Sequence, residues 1–94
     1  MKLSNNLTID SQLEKYRALG FDKYRLSIII AGLAKGLDVS HYAKISFNAD
    51  KMCVIKSGLE RNLDVSKHAD PRVSLNDMIH MYQKLCKQKG VPTK

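Results

Sequence analysis

The sequence predicts an all-α domain: a small helical repeat of about four helices, arranged as a short stack or a compact bundle. Three observations carry that prediction. First, Gly32–Ala43, "GLAKGLDVSHYA", returns as Gly58–Ala69, "GLERNLDVSKHA", with a period of 26 residues. Second, stepping by that period places Asp22, Asn48 and Ser74 in register. All three are residues whose side-chain oxygen can accept from the free N–H groups of a first helical turn. Third, helically spaced apolar residues follow each of them.

The elements follow in chain order. A helix is expected near residues 11–19. Asp10 or Ser11 would cap it, Ser11 with Glu14 has the spacing of a capping box, and Gly20 would stop it. The second helix is expected near 23–35, with Leu26, Ile29, Ile30 and Leu33 on one face. Phe21 precedes its cap, as Phe47 and Val73 precede the next two, which suits a hydrophobic staple. The third helix, near 49–61, repeats the stripe with Met52, Ile55 and Leu59, and puts Lys56 at the remaining place. The fourth, near 75–89, carries Met78, Met81, Tyr82 and Leu85. Gly36 and Asn62 share one aligned position and both tolerate the left-handed backbone that ends a helix. Leu-Asp-Val-Ser then turns the chain. Asp38 and Asp64 are expected to make local turn hydrogen bonds, and Ser40 and Ser66 to cap a short helical turn. Pro71 biases Asp70 towards an extended shape. A single domain is therefore expected over residues 9–90, with loose ends at 1–8 and 91–94.

Bulk properties narrow the function. The chain has 94 residues, and its 16 Lys and Arg outweigh 9 Asp and Glu for a formal charge of +7. That balance favours acidic partners: an acidic protein surface, a nucleoprotein, or RNA or DNA itself. No apolar run approaches the roughly 20 residues that span a bilayer, so no membrane partner is expected. The N-terminal residues lack the apolar core of a secretion signal, and the expected compartment is the cytoplasm. Cys53 and Cys86 have no metal or redox spacing and read as buried reduced thiols. His41, His68 and His80 form no familiar ligand cluster with them, and turn or surface roles are expected for all three. Neither a phosphate loop nor a nucleophile elbow is present. The expectation is a non-enzymatic protein without a metal or cofactor.

The repeated phrase resembles a repeat found in small proteins and protein tails of Gram-positive bacteria, their phages and conjugative elements. That pattern runs Gly-Leu-x-x-Gly-Leu-Asp-Val-Ser-x-Tyr-Ala-Asp-Pro-x-Phe, with a Met some five residues later. The first copy keeps Gly36, Tyr42, Phe47 and Met52 but has Lys44-Ile45 for Asp-Pro. The second keeps Asp70-Pro71 and Met78 but has Asn62, His68 and Val73. The resemblance implies a phage or mobile-element setting, in which small proteins are often inhibitors of host defence, anti-CRISPR proteins among them. It carries over no catalytic residue.

Candidate binding residues come from the repeat as well. Lys35, Arg61 and Lys87 hold the same place in their helices and would line up as a basic ridge, with Lys56, Lys84 and Lys89 widening it. Beyond Asp77 the chain has no acidic residue, while Lys84, Lys87, Lys89 and Lys94 follow. Evenly spaced cations suit phosphates, although cations near a helix C-terminus also complement its dipole. Tyr24, close to a cap, is a candidate exposed aromatic beside the ridge, whereas Tyr16 and Tyr82 sit on apolar stripes and read as core. The leading expectation is a binding module that inhibits or modulates a host nucleic-acid machine. Two alternatives stand beside it. One is a direct, sequence-independent RNA or DNA binder. The other is a structural adaptor or oligomerisation domain, in which Met52, Met78 and Met81 would partly face a partner helix.

Overall fold

The computed structural model describes residues 2–92, with side chains from residue 11 onward. Its elements are α1 (Lys2–Leu19), α2 (Lys23–Ala34), a single 3-10 turn (Val39–His41), α3 (Ala49–Glu60) and α4 (Leu75–Lys89). The described residues contain no strand. Each helix packs chiefly on its neighbour in the chain, α1 on α2, α2 on α3 and α3 on α4. The molecule measures 40 × 28 × 19 Å.

The period is real at the level of hydrogen bonds. Asp22, Asn48 and Ser74 are the residues that open α2, α3 and α4. The Asn48 side chain accepts from Lys51 N–H at 2.9 Å and the Ser74 hydroxyl from Asp77 N–H at 3.2 Å. Asp22 makes no such bond and instead accepts from Arg25 Nε at 2.7 Å. Helix ends repeat too. Leu37 N–H donates to Gly32 C=O at 2.9 Å and Gly36 N–H to Leu33 C=O at 3.0 Å. Leu63 with Gly58 and Asn62 with Leu59 copy the pair at 2.9 and 3.1 Å. This double bond pattern closes a helix only when the residue after the cap is left-handed. Gly36 has φ 75° and Asn62 has φ 58°, as that requires.

The linking phrases share their hydrogen bonds. Asp38 accepts from Ser40 N–H at 3.2 Å and Asp64 from Ser66 N–H at 3.1 Å, and each also takes the serine hydroxyl. The aspartates therefore do the capping, and the serines donate. Ala43 N–H to Val39 C=O at 2.7 Å is matched by Ala69 N–H to Val65 C=O at 2.8 Å.

The core runs through the stack. Phe21, Ile29, Phe47, Met52, Ile55 and Met78 are buried in one cluster, and Leu63, Tyr82 and Cys86 form a second against α4. Burying a side chain such as Phe47 fully contributes about 2 kcal/mol. Tyr82 and the partly buried Tyr16 take the core roles expected of them.

Several expectations change. The first helix begins at Lys2 rather than near residue 11, so residues 2–8 are helical. No proline or glycine interrupts Lys2–Leu19, so nothing in the sequence stops a helix there. Within the C-terminal segment, Val91 N–H donates to Cys86 C=O at 3.0 Å and Val91 packs on the second cluster. Residues 1, 93 and 94, the rest of the expected loose ends, lie outside the described residues, as does Lys94 of the basic tail. Ile28, not Ile30, joins the buried stripe of α2. Met52 and Met78 are fully buried, which leaves Met81 alone of that trio exposed. Cys53 is exposed rather than buried. His68 is fully buried rather than at the surface.

Candidate docking face on the fourth helix

The ridge predicted from the repeat divides into two groups of cations. In the first, Lys35 Nζ and Lys56 Nζ both donate to Glu60 Oε2 at 2.7 Å. Arg61 lies beside the same carboxylate, 4.0 Å from Oε1. Its Nε donates to Pro92 C=O at 3.0 Å and its Nη1 to Ser57 C=O at 3.2 Å, with the guanidinium 6.0 Å from the Tyr82 ring centre. The Lys35 and Lys56 hydrogen bonds hold the Glu60 carboxyl below its ordinary pKa. Lys89 Nζ folds back to Asn62 C=O at 2.7 Å. Lys35, Arg61 and Lys89 tie neighbouring repeats together and Lys56 pairs within α3, so much of their charge is used within the chain.

The second group is Lys84 and Lys87. Both are exposed on α4, and neither forms an ion pair or hydrogen bond among the described residues. α4 is the last helix of the stack, packed on α3, and its far side is open. Met81 stands there 37% exposed. Shallow concavities border it. One is lined by Arg72, Val73, Asp77, His80, Met81 and Lys84. Another, of about 260 Å³, lies between the second connector and α4 and is lined by Asp64, Lys67, His68, Met81, Lys84 and Leu85, with Gln88. Lys84 and His80 also border a third, with Lys87. Tyr24 is exposed as expected, at 62%, but it belongs to the first turn of α2. No group of three or more His, Cys, Asp or Glu side chains capable of holding a metal ion occurs among the described residues. None of their helices is long and apolar enough to cross a membrane.

Sequence reasoning missed a second set of cation contacts, which hold the connectors. Arg25 Nη1 donates to Ile45 C=O at 3.0 Å and Phe47 C=O at 2.9 Å. One period later, Lys51 Nζ donates to Pro71 C=O at 3.1 Å. A cation in the first turn of α2 and of α3 thus clasps the connector that follows. The signal was available: Arg25 and Lys51 are one period apart, as are Ile45 and Pro71.

No family model, curated protein or solved structure matches this chain.

Proposed function

We propose that the chain is a non-catalytic binding module that docks an acidic protein surface on the open side of α4. The observation that carries this reading is the free pair Lys84 and Lys87 beside the exposed Met81. A surface that mixes an exposed apolar side chain with unpaired cations suits a protein partner bearing carboxylates around an apolar contact. Free RNA or DNA is the weaker reading. Sequence-independent binding of single strands relies on aromatic platforms beside the cations. Here Tyr42 and Tyr82 are buried, and the exposed Tyr24 belongs to a different helix. The phage or mobile-element setting implied by the repeated phrase makes the partner a component of a host nucleic-acid machine. In that setting the module acts as an inhibitor or modulator, in the manner of anti-CRISPR proteins. An adaptor role loses its basis in a methionine stripe, because Met52 and Met78 belong to the core.

The test is affinity capture from a Gram-positive lysate, with and without nuclease, by wild type and by K84E/K87E. Circular dichroism would establish that both are folded. One protein should remain after nuclease treatment and disappear with K84E/K87E, while K35E retains it. Capture of nucleic acid alone, or protein capture indifferent to K84E/K87E, would remove this reading.

A further inference from the structure

Tyr42 and His68 occupy the same position in the two copies of the repeat. Tyr42 is fully buried, and its hydroxyl donates to Ile28 C=O in α2 at 3.0 Å. The ring fits because residue 32 is glycine. A Cβ there would overlap the Tyr42 hydroxyl and stand 2.8 Å from Val39 Cγ1. The second copy keeps the notch. A Cβ on Gly58 would stand 2.7 Å from Val65 Cγ1. Val65 occupies it, and the shorter imidazole of His68 reaches only its edge, with Nε2 4.0 Å from that Cβ position. The ring is 0% exposed, and neither Nδ1 nor Nε2 has a hydrogen-bond partner. Buried polar groups are almost always paired, so an unpaired buried imidazole is an exception that needs a reason.

We propose that His68 is a proton-operated latch that holds the second connector, Leu63–Asp70, in the Gly58 notch and releases it on acidification. Only the neutral ring can stay there. A charge with no hydrogen-bond acceptor in a closed site costs far more than the same charge in water. The groups facing His68 do little to change that balance. Its own connector contributes Asp64 and Lys67, α4 contributes Lys84, and α3 faces it with Gly58. Burial lowers the His68 pKa, and the Asp64 carboxylate opposes that shift more weakly. Asp64 is itself occupied by the Ser66 N–H and hydroxyl.

The sign follows from linkage. The folded-state value lies below the unfolded one, so the unlatched chain takes the proton first as pH falls. The latch is fully closed above about pH 6.5, the ordinary histidine value, and weakens as pH falls through the folded value. His68 also borders the groove between the second connector and α4. Unlatching would therefore dismantle one wall of the docking face, an added consequence that rests on the proposed function; the latch itself does not.

The experiment is amide hydrogen exchange read by NMR, as protection factors, on wild type and H68Y at pH 7.5 and pH 5.0. It needs no partner. In wild type, protection over residues 63–70 should fall about tenfold, because at pH 5.0 a released imidazole lies well below its ordinary value of about 6.5 and takes the proton. Helix α2, residues 23–34, which holds no histidine, is the internal control and should not change. In H68Y the new hydroxyl can reach Val54 C=O, one period after Ile28, and the fall should vanish. If H68Y is unfolded, H68F supplies a ring that does not titrate and should give the same result. A fall that persists in whichever variant folds, or connector protection in wild type that does not change with pH, would overturn the latch.

Discussion

The ring of Tyr42 fills the space that a side chain on Gly32 would need, so the two residues depend on one another. Tyr42→Phe keeps the ring and removes only its hydrogen bond to Ile28 C=O. A loss of about 1 kcal/mol is expected. Gly32→Ala should cost more, about 3 kcal/mol, because the added carbon overpacks a full site. Gly36→Ala meets nothing within 4 Å and should cost about 1 kcal/mol, for its left-handed backbone alone. Urea unfolding of the three variants would rank them. If Gly36→Ala proved costlier than Gly32→Ala, the notch would not be what fixes the connector. The sequence showed that Gly32 and Gly58 recur, yet not that each is a socket. A socket is a relation between a helix and the connector beyond it, Gly32 with Val39 and Tyr42 and Gly58 with Val65, and the periodicity within one helix does not report it. For the same reason His68 read as a turn residue: its burial follows from the position it shares with Tyr42, not from its own polarity.

At the scale of the element, the three opening residues look alike in sequence and act differently. Asn48→Ala and Ser74→Ala each remove a bond to a first-turn N–H and should lower stability by about 1 kcal/mol. Asp22→Ala removes no such bond and should cost less. Its partner Arg25, which also holds the carbonyls of Ile45 and Phe47, should be the costlier loss in that repeat. Thermal melts of the four alanine variants would order them, and an Asp22→Ala effect equal to that of Asn48→Ala would contradict the geometry. The openings, ends and links of α2, α3 and α4 were legible because each is written in short-range code: a cap, a helical stripe, a left-handed terminator. The start of α1 was not. Asn5 and Asn6 are weak helix formers, and without a cap or staple the segment before Asp10 offered no boundary to read.

At the scale of the whole molecule, charge sets two responses to acid. Stability should first decline as pH falls below about 6.5, through His68, and decline again below about 4, through carboxylates whose folded-state pKa values are depressed. Glu60 is held down by Lys35 and Lys56, and Asp70 by Arg72 to about 2. Melting temperatures from pH 8 to pH 3 should show both declines in wild type and only the lower one in H68Y. The excess of basic residues was plain in the sequence. Which of them remain free was not, because Glu60 draws in Lys35 from a helix one repeat away, whereas no carboxylate among the described residues pairs with Lys84 or Lys87. Finally, because each helix rests mainly on the next one along the chain, its joints bear load in series rather than in parallel. Pulled by its ends, such a chain yields like a zip, link after link, and α1 and α4, each gripped chiefly on one side, are the natural first teeth to open.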